Sequence, residues 1–190
     1  MTDIIDHLAG IPEGSALDEA RRKRAEARVH AQASHDLLLL PADPGGFTVA
    51  ERWAVAAFVA GLHNQAEVAG YYAEGLAARA PALAGKVADA AARGQATGPH
   101  GAYPAGPLSK ENTPAPGFAA DAAALGPRLA GALDHAHMLV FHPRDASAEH
   151  LQRLVDAGWR TAEIVTLSQL VAFLSFQIRA VAGFRAMLAA

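Results

Sequence analysis

The most informative absence in this 190-residue sequence is that of cysteine. Without a thiol, the chain forms no disulfide, no thiolate zinc site and no iron–sulfur cluster, and no cysteine acts as a nucleophile. An excess of charge is missing too, since 16 lysines and arginines face 19 aspartates and glutamates, for a net charge of −3. Such a balance creates no field that attracts nucleic acid, so we expect no nucleic-acid partner.

Signals for export, membrane insertion and cofactor binding are also lacking. Residues 1–7 are acidic and too poor in apolar side chains for a secretory signal. The longest apolar stretch, residues 164–188, contains central arginines that would each cost ~3 kcal/mol in a bilayer. Glycine-rich phosphate loops and a Gly-x-Ser-x-Gly nucleophile elbow are absent. We therefore expect a soluble, cytoplasmic protein with no membrane partner and no cofactor.

What the sequence does contain is helical periodicity, with abundant alanine and 52% hydrophobic residues. This pattern predicts an all-α fold. Cap residues, glycines and prolines place the helices at 15–36, 48–61, 64–79, 81–93, 118–125, 127–139, 148–157 and 161–189.

The basic run at 21–24 has two interpretations. Taken alone it resembles a nucleic-acid patch. Asp18 and Glu26 each lie four residues from Arg22, however, so that i,i+4 ion pairing on a solvated helix face is the alternative.

Proline and glycine divide the chain. Residues 94–117 hold five of the eleven prolines together with five glycines, which predicts a long loop without regular structure. We predict one helical domain over residues 1–190, because neither half alone has an obvious complete core. Its parts are an N-terminal helical extension (1–46), a first core half (47–93), the loop (94–117) and a second core half (118–190).

A histidine cluster raises the question of a metal site. His135, His137 and His142 lie within eight residues. Positions two apart on a helix point about 200° away from each other, so His135 and His137 share an ion only if this stretch is extended. We expect a helix end with partly exposed histidines and no metal, and keep the metal site as a weaker alternative.

Three segments, taken in order, resemble the carboxymuconolactone decarboxylase and alkylhydroperoxidase D superfamily. Residues 48–64 (TVAERWAVAAFVAGLHN) are similar to its central segment, where an acidic residue opens a helix and a glycine-containing break leads to a second helix. Residues 154–164 (LVDAGWRTAEI) and 170–179 (LVAFLSFQIR) are similar to its later helix entry and to its Ala-Phe-x-x-Phe…Arg helix. The resemblance covers about half of the chain. It implies an orthogonal all-α bundle that forms homo-oligomers.

The resemblance also implies where chemistry would lie. Glu51 falls on the acidic position, whereas the positions of the two thiols and of a later histidine are occupied here by other residues. Thiol peroxidase activity is therefore excluded. A decarboxylase-like branch of the superfamily uses acid–base groups instead, and the retained candidates for catalysis are Glu51, His63 and Glu67.

Each of the first two candidates also has a structural interpretation. Glu51 is equally a capping-box carboxylate, and His63 equally a helix-end residue. Glu51 can orient His63 if the helices fold back, but one continuous helix would hold the two about 18 Å apart.

The last predicted helix offers candidate ligand-binding residues. Gln169, Phe173 and Gln177 recur at i, i+4 and i+8, and Arg179 lies on a neighbouring stripe with Ser168 and Ser175. Polar groups inside an apolar helix need partners, since an unsatisfied one costs ~1–3 kcal/mol. These side chains either line a pocket, with Arg179 pairing an anionic group, or join helices and subunits.

Two functions from different classes follow. The first is a cysteine-free, homo-oligomeric member of this superfamily that keeps a small-molecule pocket for ligand binding or acid–base chemistry on a small organic acid. The second is a non-enzymatic oligomeric scaffold or partner subunit, with the 94–117 loop lying over a neighbouring chain. The ligand itself is not identified by the sequence.

Overall fold

The computed structural model describes residues 3–190, so that Met1 and Thr2, which open the acidic N-terminal stretch, lie outside the described residues. Within that range the chain is helical and forms no strand, which confirms the all-α prediction. The ten α-helices are α1 (Ile4–Ala9), α2 (Ala16–Arg22), α3 (Ala25–Leu39), α4 (Val49–Leu62), α5 (Ala66–Arg79), α6 (Pro81–Arg93), α7 (Ala122–Leu125), α8 (Pro127–Phe141), α9 (Ala148–Asp156) and α10 (Thr161–Ala189).

Helix α4 is the centre of the molecule and packs against α5, α6, α8 and α10. Its apolar side chains are buried on nearly every side, and Phe58 and Val59 are fully inaccessible. Thr48 begins the helix with a capping box, accepting from the backbone N–H of Glu51 while the Glu51 carboxylate accepts from the Thr48 N–H. The hydrophobic core that surrounds α4 takes residues from both sides of the 94–117 loop.

The chain turns sharply between α4 and α5. Asn64 adopts a left-handed conformation, with φ of 52°, which asparagine tolerates better than most residues. This turn confirms the predicted break after Gly61 and places the start of α5 beside the end of α4. The predicted helices at about 81–93 and 161–189 form α6 and α10.

The predicted helix at 15–36 is wrong in two respects, because the chain breaks into α2 and α3 at Lys23 and Arg24 and because α3 continues to Leu39. The break lets Arg21 and Arg28, from the two helices, reach the same two carboxylates. Both arginines bind Asp3, at 2.7 and 3.0 Å, and both bind Asp6. Asp3 and Asp6 are buried, so that these pairs fasten α1 to α2 and α3.

The basic run at 21–24 therefore serves ion pairing in part. Arg22 pairs with Asp18 at 2.9 Å, as the spacing predicted, whereas Glu26 pairs with His30 instead of Arg22.

The 94–117 loop follows the surface of its own chain. It contains a short 3₁₀ turn, Pro107–Glu111, and one isolated backbone bridge between Gly101 and Thr113. Its first part is held at the end of α8, where the His100 N–H donates to the Phe141 carbonyl at 2.6 Å and the Arg144 guanidinium lies 3.7 Å from the centre of the Tyr103 ring. The predicted helix at 118–125 is confirmed only for Ala122–Leu125.

One helix, α10, is long and apolar enough to cross a membrane by length and composition, although 44% of its most apolar window is buried inside the fold. Core helices of water-soluble proteins pass the same test. The finding is therefore weak support for a membrane span.

Two glycines of α5 give a matched test of helix packing. A methyl group on Gly75 would overlap the Trp53 indole ring, whereas a methyl group on Gly70 would meet no atom within 4 Å. Alanine is favoured over glycine in a helix by about 1 kcal/mol. We expect Gly70→Ala to raise the free energy of unfolding by about 0.5–1 kcal/mol, and Gly75→Ala to lower it by about 1–3 kcal/mol. Urea denaturation measures both, and equal shifts would contradict this packing.

Candidate functional site

Glu51 lies at the start of α4, where its carboxylate is fully engaged. One oxygen accepts from the backbone N–H and the hydroxyl of Thr48, both at 2.9 Å, and the other accepts from Arg128 Nε at 2.8 Å. These contacts are those of a capping carboxylate fixed by an ion pair.

Arg128 connects the starts of three helices, and we call its surroundings the Arg128 junction. Besides Glu51, the guanidinium binds Glu163 at 3.0 Å and the carbonyls of Gly46 and Gly158 at 2.8 and 2.6 Å. It also lies 4.0 Å from the centre of the Trp159 ring. Burial opposes ionisation of Glu163, but hydrogen bonds from the Arg160 backbone N–H and the Arg128 and Arg160 side chains lower its pKa to about 2.

His63 lies at the opposite end of α4. Because α4 is one continuous helix and His63 follows its last residue, the twelve residues from Glu51 to His63 place the two about 18 Å apart. The sequence-based interpretation in which Glu51 orients His63 is therefore wrong for this fold.

The partners of His63 come from α10 instead. Its Nε2 lies 3.4 Å from the Ser175 hydroxyl oxygen, which is a long and weak hydrogen bond. Burial, assisted by the positive charge of Arg179, lowers the pKa of His63 to about 4. The imidazole is thus neutral at physiological pH, beside a permanent cation.

Arg179 and Glu67 differ in whether they form an ion pair. Arg179 is exposed and makes no ion pair with any carboxylate in residues 3–190. Glu67, in the first turn of α5, pairs with Arg185 of α10. The backbone hydrogen bond at the helix start and then Arg185 lower the pKa of Glu67. Of the three predicted catalytic residues, only His63 has a neighbouring charged group without a partner of its own.

The predicted ligand-binding stripe of α10 does not lie on one surface. Gln169 is exposed, Phe173 packs partly buried against the core, and Gln177 is completely inaccessible. Gln177 Oε1 accepts from the Tyr72 hydroxyl of α5, which sequence reasoning did not single out. These residues therefore face different surroundings along the same helix.

Two buried donors next to Tyr72 have no partner within the described part of the chain. They are Gln177 Nε2 and Trp53 Nε1, and the Trp53 and Tyr72 rings lie 5.9 Å apart. Burial raises the pKa of the Tyr72 hydroxyl, which stays protonated and donates to Gln177. The amide of Gln177 and the indole N–H of Trp53 therefore lack hydrogen-bond acceptors in the core.

The two histidines of α8 have different hydrogen-bond partners. His135 Nε2 lies 2.9 Å from the Ser168 hydroxyl oxygen, while His137 Nε2 lies 3.0 Å from the Gly94 carbonyl and its ring stacks on Phe118. Both side chains are buried, which differs from the partly exposed helix end that we expected. Among residues 3–190 no group of three or more histidines and acidic residues is placed to hold a metal ion, so the geometry gives the metal alternative no support.

A groove runs between α9 and α10 on the outside of the molecule. Its volume is about 620 Å³, and its lining is mainly apolar. Gln169 is the only predicted ligand-binding residue that lines it.

Comparisons with known proteins found no relative. No family model matches the sequence, and no curated protein or solved structure matches the chain.

Proposed function

We propose that this chain is a thiol-free member of the carboxymuconolactone decarboxylase and alkylhydroperoxidase D superfamily, with that superfamily's type of helical bundle, and that it binds a small organic anion where the α4–α5 turn meets α10. The observation that carries the ligand site is the meeting of His63, Ser175 and Arg179. The resemblance of residues 48–64 and 170–179 supports the same place, because these two segments supply all three residues.

The chemistry of the three groups suits a carboxylate. Arg179 offers a planar, permanently charged fork that matches a carboxylate, and no acidic side chain in residues 3–190 competes for it. Neutral His63 and the Ser175 hydroxyl add hydrogen-bonding groups that can donate or accept.

Glu51 lies about 18 Å from His63 and so cannot act on it, which favours ligand binding over acid–base catalysis. A general base works best with a pKa near the operating pH, whereas His63 has a pKa of about 4 and no carboxylate that raises it. A bound anion would offset the charge of Arg179 and raise the pKa of His63. Ligand binding and histidine protonation are thus coupled at this site.

Calorimetry with benzoate and adipate as probes tests the proposal. We expect the wild-type protein to bind at least one of them with a dissociation constant of about 1 mM or below, with a change in the NMR signals of the His63 ring. Arg179→Gln should weaken this binding at least about tenfold.

Arg153→Gln is the matched control, because Arg153 is an exposed arginine on α9. It should bind the probe as the wild type does. Failure of both probes to bind, or equal binding by Arg179→Gln and wild type, would overturn the proposed site.

A specific observation favours an oligomeric scaffold as the second candidate. The α9–α10 groove is apolar, and exposed apolar side chains surround it, among them Leu151, Val155 and Val165. Continuous apolar patches of this kind mark interaction surfaces.

A further inference from the structure

Helix α10 carries an exposed stripe that no element of the described chain covers. Its members follow alternating steps of four and three residues, the spacing of a helix that packs along another helix. They are Val165, Gln169, Ala172, Phe176, Arg179, Gly183 and Ala186, and all are exposed. We call this set the α10 stripe.

The α10 stripe contains both protruding and small side chains. Val165 and Phe176 protrude, with 52% and 57% of their surfaces exposed. Ala172 and Gly183 are small, and the position of a Gly183 Cβ has no atom within 4 Å. The α9–α10 groove lies directly beside Val165 and Ala172.

We propose that the α10 stripe binds the α10 stripe of a second copy of this chain, with the two helices antiparallel and a two-fold axis near residue 174. In this register Phe176 packs on Ala172 of the other copy and reaches its α9–α10 groove. Val165 packs on Gly183, and Gln169 faces Arg179, whose guanidinium donates to the amide oxygen. Each contact occurs twice, as an isologous interface requires.

Charge selects this direction over the parallel one. Arg179 is the only charged residue of the stripe from Val165 to Gly183. Parallel helices would bring the two copies of Arg179 side by side, whereas the antiparallel register separates them by about 15 Å along the axis. Parallel packing would also oppose Phe176 to Phe176 and Gly183 to Gly183, leaving one crowded layer and one gap.

The same complementarity identifies the occupant as a second copy. Each protruding residue meets a small residue of the same stripe, and the one cation meets an amide of the same stripe, so that a single sequence supplies both sides. This interface goes beyond the proposed ligand site but shares Arg179 with it, so that a bound anion and Gln169 of the other copy would compete for the guanidinium. The tests of the interface change only residues outside that site.

Light scattering combined with size-exclusion chromatography tests the association. We expect the wild type to be a dimer, or a larger assembly built from it, at about 100 µM. Phe176→Ala should raise the dissociation constant at least about thirtyfold. Leu37→Ala is the matched control, because Leu37 is an apolar side chain of α3 that is 69% exposed and does not belong to the stripe. It should not change the assembly.

Disulfide cross-linking tests the register of the two helices. Because the native chain has no cysteine, only the introduced cysteines can form a disulfide. We expect Val165→Cys and Gly183→Cys chains, when mixed and oxidised, to form a mixed disulfide. Each variant alone should not cross-link, because equivalent residues lie about 27 Å apart in the antiparallel register, well beyond the ~7 Å that a disulfide spans between Cα atoms.

Three results would overturn the proposal. They are a wild-type monomer at about 100 µM, self-cross-linking of either single variant, and a dimer that Phe176→Ala leaves intact. A monomer that sediments with phosphatidylcholine vesicles would instead assign the stripe to a lipid surface.

Discussion

Replacing Arg128 by methionine lowers the free energy of unfolding by about 2–4 kcal/mol. The substitution keeps much of the side-chain volume but removes the cation that faces Glu51 and Glu163. Glu163 is only 8% exposed, and without Arg128 its carboxylate keeps only Arg160 as a partner, through the exposed side chain and the backbone N–H. Weakening the pairing of a buried carboxylate is more costly than breaking a surface pair. The carbonyls of Gly46 and Gly158 lose their donor at the same time. Urea denaturation at neutral pH measures the loss.

Two further variants separate the charge from the side-chain packing. Arg128→Met combined with Glu163→Gln should recover part of the loss, because the second change removes a buried charge that has lost one of its two arginine partners. Arg153→Met, at an exposed arginine of α9, should stay within about 0.5 kcal/mol of the wild type. A loss of less than about 1 kcal/mol for Arg128→Met would show that the junction is not a structural connection.

Lowering the pH from 7 to 5 destabilises the protein by several kcal/mol through its buried histidines. Burial, and then the charge of His150, lowers the pKa of His135 to about 4, from an ordinary value of 6.5. Burial likewise lowers the pKa of His63, His35 and His137.

The sign of the effect follows from proton binding. Between pH 6.5 and about 4 the unfolded chain binds more protons than the folded one, so stability is complete above pH 6.5 and falls as the pH drops through this window. Each such histidine contributes a slope of up to ~1.4 kcal/mol per pH unit. This amounts to about 2 kcal/mol for His135 at pH 5, and less for the partly exposed His63. The stabilisation from Glu163, with a pKa near 2, is lost only below about pH 4.5.

Urea unfolding at a series of pH values measures this slope. His135→Gln should flatten it, whereas His30→Gln should not, because the His30 side chain is 75% exposed. Parallel pH profiles for the wild type and His135→Gln would contradict the assignment.

The features that the sequence predicted are those that neighbouring residues determine. Thr48 and Glu51 cap α4 because the two groups are one helical turn apart, and Pro81 opens α6 because its ring favours the first turn. The break after Gly61 is likewise local, since Asn64 supplies the left-handed turn. Such signals act before any tertiary contact forms.

The features that the sequence did not predict depend on distant contacts. Nothing near Lys23 shows that Arg21 and Arg28 bind Asp3 and Asp6, and without those pairs the 15–36 segment reads as one helix. Arg128 carries no motif, and its partners lie 30 to 82 residues away.

The candidate site shows the same division. The family resemblance led to His63, and residue type and spacing led to Arg179, whose charge helps to lower the pKa of His63 in the fold. The pairing of Glu51 with His63 depended on whether the chain folds back, a question of tertiary structure. Gln169 and Gln177 share a stripe by periodicity, but α10 is covered differently along its length, so one is exposed and the other is enclosed.

The small residues of α4 limit where this protein can vary its function. Ala54, Ala56 and Ala60 are fully inaccessible, and a Cβ on Gly61 would lie 2.8 Å from that of Ala91 in α6. Methyl groups and hydrogens thus set the distances between the helix axes, and any larger side chain in α4 would push its neighbours apart. Selection for a new ligand therefore has no room at the middle of the bundle, and acts where helices begin and end.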